Sequence, residues 1–110
     1  MRDEAQERLE LLSAIQDLGY ESLRYSIFNE YGPGEWEVVI EFDDSKQAYN
    51  VYATMDRASY NKKLEFDNFQ DAKLAFLERL EHFVESTKKG LKVGFSPYYS
   101  SPLWDNEKTD

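Results

Sequence analysis

The 110-residue chain is 41% hydrophobic and 15% aromatic, enough apolar material for one ordered domain and too little chain for two cores. Twenty-two acids against thirteen bases leave a formal net charge of −9, a field that repels nucleic acid and anionic lipid and steers a basic partner inward. Cysteine is absent, which excludes disulfides and zinc-thiolate sites.

The charge is unevenly placed. Residues 1–44 hold twelve acids against three bases, and residues 45–110 hold ten of each. No apolar run approaches the roughly 20 residues of a membrane span, and the acidic N-terminus lacks the apolar region of a signal peptide. A cytoplasmic address is therefore expected, with neither a nucleic acid nor a membrane as partner. No internal repeat or low-complexity segment stands out.

Residues 3–18 read as a helix whose buried stripe is Leu9, Leu12, Ile15 and Leu18, helped by Leu11. Asp3, Glu4 and Glu7 suit its N-terminal end, Gly19 suits the left-handed position after its last turn, and Tyr20 can fold back on that turn. Residues 24–31 read as a first strand. Gly32-Pro33-Gly34-Glu35 has the residues of a type II turn, which predicts a hairpin into the next strand.

That strand, residues 35–42, alternates with period two. Trp36, Val38, Ile40 and Phe42 point one way, and Glu35, Glu37, Val39 and Glu41 the other. Asp43-Asp44-Ser45-Lys46 forms the next hairpin connection. A third strand follows over 47–55, with Tyr49, Val51 and Ala53 on one face and Asn50, Tyr52 and Thr54 on the other. After an irregular crossing at 56–61, residues 62–66 read as a short fourth strand. Asp67 is placed to cap a second helix, 68–88, with a stripe of Phe69, Ala72, Phe76, Leu80 and Phe83, helped by Leu77 and Val84. Lys88, Lys89 and Gly90 read as its end.

The tail begins with an extended piece, 91–95. Pro97 and Pro102 argue against helix beyond it. Tyr98, Tyr99, Leu103 and Trp104 either pack across the domain and complete its core or form a docking segment. The fold class is therefore α+β, in two layers. An antiparallel meander of three to four strands carries two helices on one face, in the order α-β-β-β-(β)-α plus an extended tail. Residues 1–104 form the single domain, and 105–110 are a disordered end.

Such a layout leaves the opposite sheet face bare, with Glu35, Glu37 and Glu41 on it and Phe28, Asn50 and Tyr52 beside them. Acidic and aromatic-studded, it reads as a docking plate. Asp43 and Asp44 extend it, as a solvated turn or, less readily, a site for a hard cation. Phe28, Tyr52 and Trp104 are the candidate aromatic anchors. Arg57 either pairs with Asp56 or serves as an interface arginine. His82 reads as a surface histidine. No nucleophile triad, phosphate loop, metal cluster or cofactor motif is present, and Glu37 and Glu41 stand roughly 13 Å apart on one strand, too far for paired-carboxylate chemistry. Binding without catalysis is the expectation, by a monomer or weak homodimer.

The run Val51-Tyr52-Ala53-Thr54-Met55-Asp56-Arg57-Ala58-Ser59, with Phe66, Asn68-Phe69, Asp71-Ala72 and Phe76-Leu77-Glu78-Arg79-Leu80, resembles small acidic immunity proteins of bacterial polymorphic-toxin systems. The resemblance spans roughly residues 9–85 and misses the tail. It implies a non-enzymatic inhibitor that binds a cognate secreted toxin domain and blocks its active site or an essential surface. The acidic composition suits a basic toxin such as a nuclease, whose own substrate is a polyanion. The rival readings are a generic protein–protein interaction module or small regulatory subunit, and a small-molecule binder or enzyme with a pocket between sheet and helices.

Overall fold

The structure is a computed structural model that describes residues 3–28, 37–54, 63–95 and 101–105. Its elements are α1 (Glu4–Leu18), β1 (Tyr25–Ile27), β2 (Val38–Asp43), β3 (Ala48–Ala53), β4 (Leu64–Phe66), α2 (Phe69–Lys92) and the short α3 (Pro102–Asp105). The four strands form one sheet in the order β1-β2-β3-β4.

The sheet is mixed, not an antiparallel meander. β2–β3 and β3–β4 are antiparallel, as expected, but β1 runs parallel to β2 with Tyr25 beside Val38 and Ile27 beside Ile40. β1 is also shorter than its sequence suggests. Phe28 adopts a positive φ of 51°, and this turns the chain out of the strand just after its amide bonds to the Ile40 carbonyl. A parallel neighbour requires the chain to return to the starting end of β1, which a tight hairpin does not do. The expected turn at Gly32-Pro33-Gly34-Glu35 lies outside the described residues.

The hairpin between β2 and β3 follows the alternation read from the sequence. Val38, Ile40 and Phe42 pair with Ala53, Val51 and Tyr49, so these six residues share one face. α2 lies across that face. Its buried residues are Ala72, Ala75, Phe76, Leu80, Phe83 and Val84, at the helical spacing expected, with Phe69 and Leu77 packed against the same core. Its N-cap is Asn68 and not Asp67. The Asn68 side chain accepts the Asp71 amide at 2.9 Å while its own amide group donates to Asp71 Oδ2.

α1 lies beside α2, joined to it by a Glu10–Lys73 ion pair at 3.5 Å. Its rotation departs from the leucine stripe. Glu7, Leu11 and Ile15 face inward, while Leu9, Leu12 and Leu18 are 63%, 40% and 49% exposed. Polar contacts set this rotation. The Tyr49 hydroxyl donates to Glu7 Oε2 inside the core, and the Arg8 guanidinium donates to the carbonyls of Ile27, at 2.7 Å, and Phe28, at 3.4 Å. A carboxylate that enters with a hydroxyl donor is far cheaper to bury than a lone one.

Both long helices end in the same motif. After α1, the amides of Gly19 and Tyr20 bond back to the carbonyls of Gln16 and Ile15, with Gly19 at φ 77°. After α2, Gly94 and Phe95 bond to Leu91 and Gly90, with Gly94 at φ 97°. The stop is therefore Gly94 and not Gly90, and the piece expected to be extended at 91–95 instead continues and closes the helix.

The tail also forms helix. Pro102 occupies the first position of α3, where its missing N–H costs nothing, and Ser101 caps it by accepting the Leu103 amide at 3.2 Å. Ser101 Oγ shares a 2.7 Å hydrogen bond with Ser22 Oγ, and Trp104, wholly buried, meets Phe83 edge-on at 5.6 Å. Of the two roles considered for Trp104, completing the core is the one seen. Residues 106–110 lie outside the described residues.

Gly90, inside α2, and Gly94, two residues beyond it, make opposite predictions. An Ala Cβ at Gly90 meets the Phe95 Cβ at an ordinary 3.6 Å. Gly90→Ala should therefore stabilise the protein by up to about 1 kcal/mol through helix propensity. At Gly94 a Cβ meets nothing, so only the positive φ matters; Gly94→Ala should destabilise by about 1 kcal/mol. Midpoints of urea unfolding for the two variants check both signs.

Candidate functional site

The sheet face turned away from α2 is lined by the residues that alternate with the core. Glu41 stands opposite Asn50, Val39 opposite Tyr52, and Glu65 beside Asn50 on the far side. The face is not bare. Ser26, Val39 and Tyr52 are all buried there. Part of the cover comes from the face's own charged residues. Lys63 Nζ lies 4.6 Å above the Tyr52 ring and 3.5 Å from Glu41 Oε1, while the Tyr52 hydroxyl donates to Glu41 Oε2 at 3.2 Å. Glu41 thus has both oxygens engaged. Lys46 and Glu65 form a further, exposed ion pair at 3.8 Å, a geometry that contributes little to stability.

The other expected site residues sort in the same way. Phe28 belongs to the inner core, with its ring 6.3 Å from Tyr49 and Arg8 5.7 Å above it, and is not on the outer face. Together with Tyr52 and Trp104 it offers no more than a sliver of surface. Glu37 is half-buried where its amide donates to Thr54 Oγ1 at 2.8 Å. Asp44 is exposed. Glu35 and Arg57 lie outside the described residues. His82 is exposed, as expected.

Asp43 is committed to the hairpin. Its Oδ1 accepts the Ser45 hydroxyl at 2.6 Å and the Ser45 amide at 3.0 Å, with the Lys46 amide at 3.4 Å. Gln47 completes the turn at φ 53°, its side-chain amide donating to the Asp44 carbonyl. The solvated turn, not a cation site, is what these contacts build. Among the described residues no group of three or more His, Asp or Glu is placed to hold a metal ion, and no helix is long and apolar enough to cross a membrane.

A second surface, which the leucine pattern concealed, lies along α1. Its outward ridge is Ala5, Leu9, Leu12 and Gln16, all exposed. Beside it a groove of about 400 Å³ runs toward α2, floored by the small Ser13 and Ala14 and walled by Leu9, Asp17 and Lys73. Farther along the α1–α2 seam, burial first and then Glu81 and Glu85 push the Tyr20 phenol above its ordinary value. The signal available from sequence was the acid count around this helix: residues 3–21 hold six acids and one base.

A family model described as immunity protein 59 matches residues 5–105. No curated protein and no solved structure matches the chain.

The Asp43 contacts predict a titration. The Ser45 hydroxyl, first among several donors, holds the Asp43 carboxyl below its ordinary value of 3.8. A depressed carboxylate favours the fold above its unfolded pKa, and that contribution is lost as pH falls through the lower folded value. Carbon-detected NMR titration of Asp43 should give a midpoint below 3.8. Ser45→Ala should move it upward.

Proposed function

The chain belongs to the immunity protein 59 family, and we propose that it binds and neutralises a cognate secreted toxin domain without catalysis of its own. Binding occludes the toxin's active site or an essential surface. Family membership is the observation that carries this reading over its rival, the generic interaction module. The partner is a basic domain, with a nuclease the best chemical fit, because the protein's whole net charge of −9 is concentrated in residues 1–44. Nucleases carry cationic surfaces to hold a polyanion, and a strongly acidic protein is drawn to such surfaces at high rate. The producing cell is protected if the complex forms in its cytoplasm, where a cysteine-free domain needs no oxidising environment to fold.

Within this reading the carboxylates at the two ends of β2 contribute steering. Asp44 is exposed and Glu37 half-exposed, so their field reaches an approaching cation. Glu41 is already bonded to Tyr52 and Lys63, and its share of that field is weaker.

Two measurements test the proposal. The C-terminal domain encoded by the neighbouring reading frame should arrest bacterial growth alone and fail to do so beside this protein, with the two co-purifying as a complex. A toxic domain that is neither rescued nor bound would remove the function. For the complex, Glu37→Gln with Asp44→Lys should lower the association rate about tenfold at low salt and flatten its salt dependence, leaving dissociation unchanged. An unaltered on-rate would take these two carboxylates out of the steering field.

A further inference from the structure

We propose that the outward face of α1, centred on Leu9 and Leu12, is the docking surface, and that its occupant is a basic amphipathic helix of the toxin. The inference rests on the toxin-binding reading and adds to it the surface and the chemistry of what lies on it.

The argument starts from the rotation of α1. Inward-facing Glu7, Leu11 and Ile15 leave Leu9 63% and Leu12 40% exposed, three residues apart on one side of the helix. Single exposed leucines are ordinary. Here Ala5 precedes them and Gln16 follows at positions i, i+4, i+7 and i+11, so the ridge is continuous for three turns. The groove beside it, about 400 Å³ over Ser13 and Ala14, has room for side chains of a second helix.

Charge selects the occupant. In residues 3–21, with Glu7 withdrawn into the core, five acids are set against one base, Arg8. The Arg8 guanidinium is spent on the carbonyls of Ile27 and Phe28 and lies 3.7 Å from Glu4. Lys73, the only cation lining the groove among the described residues, is bonded to Glu10. The Asp17 carboxylate, exposed at the groove wall, forms no ion pair among the described residues. A second copy of this chain is a poor fit, because a two-fold contact would set the same acids against each other. A helix with leucine-type residues on one stripe and Lys or Arg at its margins fits both features. Its apolar stripe covers Leu9 and Leu12, and a basic side chain runs its stem along Leu9 and Ala14 to reach Asp17.

The test uses the full chain with two probes. In the toxin complex, Leu9→Ser with Leu12→Ser should weaken binding about 100-fold, as two interface anchors of at least tenfold each, mainly through faster dissociation. Asp17→Lys should weaken it about tenfold. Asp17→Lys should keep the wild-type melting temperature, and Leu9→Ser with Leu12→Ser should lower it only by a few degrees through helix propensity, so that both variants remain folded at the temperature of the binding assay. Wild-type affinity in both overturns the proposal while leaving toxin binding intact. Should the wild-type protein bind no toxin, the functional reading fails, and the second probe still decides the surface. A synthetic Leu/Lys amphipathic helical peptide is titrated into the ¹⁵N-labelled protein, with a Leu/Glu peptide as control. Shifts centred on residues 9–17 with the basic peptide alone support the inference. Shifts centred on the sheet face, or none, overturn it. Self-association of the wild type that the double leucine variant abolishes would assign the face to a second copy and also overturn it.

Discussion

The buried pair of Glu7 and Tyr49 sets the geometry on which the rest of the molecule depends. One carboxylate on α1 meets one hydroxyl on β3 inside the core, and beside it Arg8 takes up the carbonyls where β1 ends. Together these contacts clamp α1 at one rotation and tie it to both the parallel strand and the central hairpin. Every later placement follows from that clamp. Leu11 and Ile15 go inward because they lie one and two turns from Glu7. Leu9 and Leu12 go outward for the same reason. An interior carboxylate without its donor is costly, so the pair specifies one helix rotation where a purely apolar stripe tolerates several.

This explains which parts of the fold were legible in the sequence. α2 was, because its stripe from Ala72 to Phe83 is apolar throughout and packs on an apolar face. The β2–β3 register was, because alternation there is nearly strict and a one-residue slip would have turned Phe42 and Tyr49 outward. α1 was not. Hydrophobic periodicity weighs leucines and ignores glutamates, and here a glutamate occupies the inward position. β1 was misread for a different reason. Three residues carry no information on strand direction, and the turn residues Gly32-Pro33-Gly34 made a hairpin the simplest connection. Gly90 misled in the same local way, since the left-handed stop came four residues later at Gly94.

The site was legible in its charge and not in its anchors. The acids are where the composition puts them. Aromatic residues, however, read alike whether they serve an interface or a core, and the neighbours that decide between the two are far away in the chain. Phe28 turns inward to Tyr49, Tyr52 lies beneath Lys63, and Trp104 packs on Phe83. Once those three are withdrawn, the large apolar side chains left exposed among the described residues of the acidic part are those of α1. In the proposed mode of docking, α1 carries both the apolar ridge and part of the acidic surplus, and the carboxylates flanking β2 add to the charge alone.

The contact between Ser22 and Ser101, with Trp104 sealing the core behind it, also fixes when the protein can finish folding. Helix α1 and the central hairpin can form from chain already made, yet the interior against Phe83 stays open until residue 104 has been synthesised and has left the ribosome. Closing a loop of that length is slow relative to local contacts and exposes apolar surface while it waits. The seal against Phe83 is therefore the last part of the interior that a nascent chain can close.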